Sequence, residues 1–358
     1  MIIYNHLLWG NIFMDKQMDK KADIKIVDIA REANVSTATV CRVLNDKNNV
    51  SDDVRTTVQN IINKYNYKPQ RVHKKTTQKP LIIVTTERHI TAFYAQVLSA
   101  IQEQAEEHGY LMYIFPMPQD PEKQQDVFRY LQQQQPCAGM ISAGFYLSPE
   151  NWVRVQEQLR LPTVIMNTQV SHPNIACLRV NFQSAITNAM RHLVDLGHER
   201  IAYLGDMNDQ FSQDELAGVE RAMKERGWTY PEEYRFSVAL TPEGASQGVS
   251  RIMMLPEELR PTAIIAFDDD FAINILNALR YYQLRVPEDI SVIGFDNIPI
   301  SARTYPSLTT VDVPKYRIGQ QLVELLMQLI DNRQAEPIGN IFVDGTLVVR
   351  ASTGPVKK

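Results

Sequence analysis

From Leu81 onward, short apolar runs alternate with longer amphipathic ones, and few folds accommodate that pattern. Strand-like runs at 81–84, 110–115, 139–141 and 163–166 are separated by helix-like stretches over 92–108, 123–134 and 149–159. The pattern restarts after 178–180. Helices are expected over 184–196, 213–226, 244–254 and 271–282, with strands at 200–204, 235–238, 263–267 and 291–295. Strands alternating with helices predict parallel sheets covered on both faces, so the fold class is α/β. Two such runs predict two doubly wound parallel sheets, hence a two-lobed core over 81–354. In such sheets ligands sit beyond the carboxyl ends of the strands, here in the cleft between lobes.

Ahead of the core stands IVDIAREANVSTATVCRVL, residues 26–44. Ile26, Ile29, Ala30 and Ala33 share one helical face. Val40, Val43 and Leu44 share the inner face of a second helix, and Val35 fills the corner between them. Ser36 or Thr37 can cap the second helix by accepting from a free N–H of its first turn. A third helix begins after Ser51, with Val54, Val58, Ile61, Ile62 and Tyr65 as its apolar stripe. Taken alone, the segment is either a helical hairpin that only packs or a helix-turn-helix whose second helix enters a DNA major groove. Residues 24–69 are assigned to this three-helix head.

Charge separates head from core. Residues 1–80 carry a net +6 and residues 81–358 a net −10, within an overall −4. A basic head suits a polyanion, while an acidic core does not. Residues 70–80 form a basic hinge or linker. It contains Arg71, Lys74 and Lys75 and no acid, so it either follows a phosphate backbone or serves as a solvated spacer. With 44% hydrophobic and 22% charged residues, the chain has the balance of a globular protein. No apolar run reaches the ~18 residues of a membrane span. Residues 1–23 lack the features of a signal peptide and are expected to be a disordered tail, or one read from an upstream start, with Met14 or Met18 as the true initiator. Cys41, Cys137 and Cys177 have neither metal-ligand spacing nor a disulfide pattern, which points to a reducing cytoplasm.

The head, the segment ending NYKPQRV, the stretch HLVDLGHERIAYLGD, and RVPEDISVIGFDN followed by PSLTTVDVP together resemble the LacI/GalR family of bacterial transcription regulators. The resemblance covers roughly residues 24–353. It implies a homodimer that reads a pseudo-palindromic operator in double-stranded DNA. It also implies a core similar to the periplasmic sugar-binding proteins, with lobe 1 over about 81–180 and 312–340 and lobe 2 over about 181–311 and 341–354, holding a small-molecule effector, a sugar or a nucleoside, between its lobes. The text VSTATV is similar to that of a cytidine-responsive member, which does not fix the effector. The resemblance puts base reading on Thr37, Ala38 and Arg42, and phosphate contact on Ser36 and Thr39. An arginine pairs bidentately with guanine. Cys41 stands where the family has serine and is expected to act as a small apolar substitute. His73 and Thr76 stand where the family hinge has alanine and a wedging leucine, so a flexible hinge that binds by charge is expected.

In the cleft, the resemblance implies effector contacts at Phe93, Tyr94, Asp268 and Asp296. Glu215 stands where the family has an arginine that grips the ligand. The cleft is therefore expected to be acidic and to favour a cationic or hydroxyl-rich neutral ligand. Alternatively, Glu215 points to solvent and the site has lost its ligand. The run Asp268-Asp269-Asp270 is expected to cap a helix rather than hold a metal, since neighbouring side chains diverge. No cofactor, metal site, membrane span or catalytic constellation is expected. A repressor with an effector-controlled core is the leading expectation, ahead of a solute-binding protein and an enzyme.

Overall fold

The computed structural model describes residues 26–44, 50–65, 80–88, 90–118, 120–133, 137–144, 147–331 and 340–357, and all structural statements concern these. The chain divides into two units, Met1–Thr77 and Gln78–Lys358.

The first unit contains α1 (Ile26–Glu32), α2 (Thr37–Leu44) and α3 (Asp52–Lys64). α1 ends where Asn34 adopts a left-handed φ of 52° and the Val35 amide bonds back to the Ala30 carbonyl at 2.9 Å. Ile29, Ala30, Val40, Val43, Val58, Ile61 and Ile62 form one buried cluster, with Ile26, Ala33, Val35, Leu44, Val50 and Val54 packed around it. The 3.6-residue stripes of all three helices therefore converge. Tyr65 departs from expectation. It lies past the end of α3 and is 42% exposed, with the Lys64 ammonium 4.8 Å from its ring centroid. The loop 45–49, the tail 1–25 and the hinge residues Arg71, His73, Lys74, Lys75 and Thr76 lie outside the described residues.

The second unit begins with β1 (Leu81–Thr86), α4 (Ala92–Glu107), β2 (Leu111–Pro116), α5 (Pro121–Gln133), β3 (Cys137–Ser142), α6 (Pro149–Leu159), β4 (Thr163–Met166) and β5 (Ile175–Val180). It continues with α7 (Phe182–Asp195), β6 (Ile201–Gly205), α8 (Gln210–Glu225), β7 (Arg235–Ser237), α9 (Pro242–Met253), β8 (Ala263–Ala266), α10 (Asp269–Tyr281), β9 (Ser291–Asp296) and β10 (Thr309–Asp312). It closes with α11 (Lys315–Asp331), β11 (Ile341–Val343) and β12 (Thr346–Val348). The first sheet has the order β11-β5-β4-β3-β1-β2 and is parallel in every pairing. The second has the order β12-β10-β9-β8-β6-β7, parallel except for β12 against β10. In each lobe the strand order reverses beside its first strand, β1 or β6, which places a crevice at the carboxyl edge.

Alternation along β1 sends Ile82 and Val84 to one buried cluster and Ile83 to another, so both faces of the sheet are covered. α4 packs on α11, α7 on α8, and α9 on α10. The chain crosses between lobes three times, after β5, after β10 and after β11. The last crossing corrects the expected boundary. Residues 341–343 pair with Leu178, Arg179 and Val180 in the first sheet, so lobe 2 resumes only after Asp344-Gly345. Three residues suffice to complete a sheet edge here because the Asn181 amide also bonds the Val343 carbonyl at 2.9 Å.

Candidate functional site

On the head, Ser36 caps α2: its Oγ accepts from the Thr39 amide at 3.1 Å and lies 2.9 Å from the Thr39 hydroxyl. The two hydroxyls expected to meet phosphate thus also fix the start of the reading helix. Thr37 and Arg42 are exposed on the face away from the cluster of Ile29, Val40 and Val58. The side chains of Ala38 and Cys41 lie outside the described set. Lys64 bonds Glu32 at 2.7 Å, clipping the end of α3 to the end of α1.

In the core, the helices that follow the strands are capped from the cleft side. Asp209 accepts from the Ser212 amide at 2.9 Å and Asp268 from the Phe271 amide at 2.7 Å. Burial, with Asp270 nearby, raises the Asp268 carboxyl to about 6. Asp269 is fully buried and accepts from Thr310 Oγ1 at 2.6 Å and from the Ile298 amide at 2.8 Å. Burial raises its carboxyl to about 7. Asp270 is exposed. The run of three therefore resolves into a cap, a buried tie and a surface acid. Among the described residues no group of three or more His, Cys, Asp or Glu is arranged to hold a metal.

Asp296 ends β9 with a φ of 97°, a backbone conformation that side chains other than glycine rarely adopt. Burial, then the repulsion of Asp268 and Asp269, pushes its carboxyl well above the ordinary range. Glu215 does not point to solvent. It is 1% exposed, and its Oε2 accepts from the Tyr203 hydroxyl at 2.9 Å. Burial raises it strongly, and the charges of Asp296, Asp268 and Asp209 add to the effect. A carboxyl in that position favours its neutral form. From lobe 1, Tyr94 is half-buried and its ring covers Gly144, where a Cβ would stand 2.7 Å from Cζ. Burial raises the Tyr94 hydroxyl, with Glu87, Asp296 and Asp209 as further causes, so the ring of one lobe lies within the field of acids from the other. Phe93 is only 7% exposed and meets Tyr94 edge-on at 5.1 Å. It backs Tyr94 instead of forming an open wall. The structure thus brings Tyr94, Glu215, Asp268 and Asp296 into one electrostatic neighbourhood, with Phe93 behind it.

Sequence reasoning missed four neighbours. Tyr203 gives Glu215 its donor, and Asp209 adds an acid at the start of α8. Phe182 stacks 5.7 Å from Phe211 and 5.6 Å from Phe295, where the first crossover enters lobe 2. Lys315 places its ammonium 6.0 Å from the Phe93 ring centroid. The Asp209 signal was available in the sequence as DQFSQDE, an N-cap followed by a helix.

Residues 25–70 match the family model of bacterial regulatory proteins of the lacI family, and residues 190–353 match a periplasmic binding protein-like domain. The HTH-type transcriptional repressor PurR of Aliivibrio fischeri (strain ATCC 700601 / ES114) is 30% identical over 316 residues, covering 87% of this chain and 93% of the relative. The Lac repressor dimer bound to operator and the anti-inducer ONPF superposes with a TM-score of 0.69 at 26% identity, over 93% of this chain and 100% of that one. The CelR–cellobiose complex has the same fold, with a TM-score of 0.68 at 21% identity over 92% and 99% of the two chains. A helix-turn-helix head joined to a two-lobed core like the periplasmic binding proteins defines a DNA-binding transcriptional regulator, not an enzyme. The chain belongs to the LacI family of bacterial regulatory proteins.

Proposed function

We propose that the chain is a cytoplasmic repressor that binds a palindromic operator as a dimer and is controlled by a sugar or nucleoside in the inter-lobe cleft. The reading rests above all on the head, where a short capped helix presents Thr37, Thr39 and Arg42 outward from a closed three-helix core. Thr37, Ala38 and Arg42 read base edges, with Arg42 the candidate for guanine. Ser36, Thr39, Arg71, Lys74 and Lys75 hold phosphates and fix register. Phe93, Tyr94, Glu215, Asp268 and Asp296 serve the effector. A neutral Glu215 carboxyl can donate one hydrogen bond and accept others, which suits a polar neutral ligand better than an anion. The dimer is formed through lobe 2 around Tyr281, Tyr305 and Ile300, which are 83%, 87% and 48% exposed, and through lobe 1 along β2, where Leu111 and Tyr113 are 47% and 53% exposed.

The test is binding to a duplex selected from a random pool, compared with its scrambled version across a salt series. The selected site should bind at least ~10³-fold more tightly at physiological salt, and log K should fall linearly with log salt. Equal affinity for the two duplexes would defeat the reading.

A further inference from the structure

Lys315 is 7% exposed, and its side chain is held on every side. Its backbone opens α11, the helix that packs on α4 in lobe 1. Its ammonium donates to the backbone carbonyl of Asp296 at the end of lobe 2's β9, to the Val313 carbonyl at 2.9 Å, and to Asp312 Oδ1 at 3.4 Å. It also lies over the ring of Phe93 in lobe 1. Burying an ammonium is costly unless it is paired and hydrogen-bonded. A cation in the first turn of a helix also faces the positive end of the helix dipole. Oxygen atoms of lobe 2 and of the second crossover offset both penalties. Two of the acceptors are local, two and three residues back in the second crossover and at the end of β10; the Asp296 carbonyl and the Phe93 ring are the contacts that depend on the lobes holding this relation.

The carbonyl it grips belongs to a strained segment. Asp296 and Asn297 are consecutive non-glycine residues with φ of 97° and 53°. Such backbone persists only where its surroundings over-determine it. Lys315 supplies one side of that constraint, and a hydrogen-bond chain supplies the other. Asp312 Oδ1 accepts from Asn297 Nδ2 at 2.9 Å, and Asn297 Oδ1 accepts from Arg350 Nη2 at 2.6 Å. Arg350 in turn donates to the Leu308 carbonyl at 2.7 Å and to Ser301 Oγ at 3.2 Å, next to exposed Ile300.

We propose that Lys315 is a positioning residue of the cleft, which holds the Asp296 end of lobe 2 against Phe93, the ring that backs Tyr94 in lobe 1, and so sets the spacing in which the effector is read. The inference takes the cleft to be the effector site, but its test needs neither effector nor operator. In the full chain, Lys315→Met keeps length and apolar stem while removing the donor. Hydrogen exchange should then accelerate at least tenfold in peptides covering 295–298 and 90–95, on opposite sides of the cleft. Protection where α4 meets α11, at Val97 to Ala105 and Ile318 to Leu326, should be unchanged. Lys315→Arg should restore most of the lost protection, because a guanidinium can still reach the carbonyls. Asp312→Asn, which leaves the ammonium in place, covers the case in which Lys315→Met fails to fold; because it also alters the Asn297 contact, acceleration at 90–95, across the cleft, is the readout that supports the proposal in that variant, and its absence there counts against it. Unchanged exchange on either side of the cleft overturns the proposal. So does uniform acceleration along α4 and α11, which would make Lys315 an ordinary helix residue. The operator experiment above can succeed or fail independently of these outcomes.

Discussion

Glu215 combines two properties that seldom coexist: it is ionisable, and water scarcely reaches it. Its folded-state pKa is raised well above the ordinary 4.5, first by burial and then by neighbouring acids. Between the unfolded and folded values the native state holds a proton that the unfolded chain has released, so stability contributed by this group is lost as pH rises through that window. Glu215→Gln keeps an acceptor for Tyr203 and cannot ionise. Thermal melts should therefore show the variant gaining on the parent as pH rises from about 4.5, by at most about 1.4 kcal/mol per pH unit, and holding a constant difference from it below that. A constant offset at every pH would show that Glu215 is not the titrating group. Asp268 and Asp269, raised to about 6 and 7, lose stability in the same direction in both proteins and cancel in the comparison. The sequence made the charge at 215 legible, because a glutamate there departs from the family's arginine. It could not reveal the burial. That depends on Tyr203, twelve residues earlier on a strand, turning its hydroxyl toward α8.

At the scale of elements, the close approach of α11 to α4 rests on Gly319. A Cβ there would stand 2.5 Å from Ala100 Cβ, 2.7 Å from the Val97 carbonyl oxygen and 3.0 Å from the Ile101 amide nitrogen. None of these is a flexible side-chain end, so the helices must separate to admit a methyl group. Gly319→Ala should cost about 1–3 kcal/mol of overpacking, less up to ~1 kcal/mol regained in helix propensity, and denaturant titration should register the net loss. A variant as stable as the parent would show that the two helices can slide apart freely. Sequence periodicity located the helices well but started several of them late. α7 was expected from 184 and begins at Phe182, and α8 was expected from 213 and begins at Gln210. Apolar periodicity reports the buried face, whereas the start is set by a capping side chain one turn earlier, Asn181 or Asp209. The head was legible almost entirely, because its three stripes close on one another within 39 residues, from Ile26 to Lys64. Tyr65 failed because the stripe was extended one residue past the end of α3.

At the scale of the whole molecule, the exposed aromatic face of lobe 2 carries the assembly prediction. Arg280 donates to the Tyr305 carbonyl at 2.9 Å, so the end of α10 and the loop beyond β9 present Tyr281 and Tyr305 from adjoining backbone. Tyr281→Glu should shift the protein from dimer to monomer in sedimentation and reduce operator affinity through loss of the second half-site. A parent protein that sediments as a monomer at micromolar concentration would remove that face from consideration. The two-lobed plan was legible from the repeat of β and α runs. The sheet that owns residues 341–343 was not, because three apolar residues fit either edge and the choice lies in pairing with β5. That same interlacing bears on how the protein is made. As the chain emerges from its amino end, β1 to β5 are complete while α4 still lacks the helix that covers it. That helix, α11, and the edge strand β11 follow only after nearly all of lobe 2 has been synthesised. The first lobe must wait on the ribosome with an open apolar flank, and a message truncated between codons 180 and 331 would release it in that state.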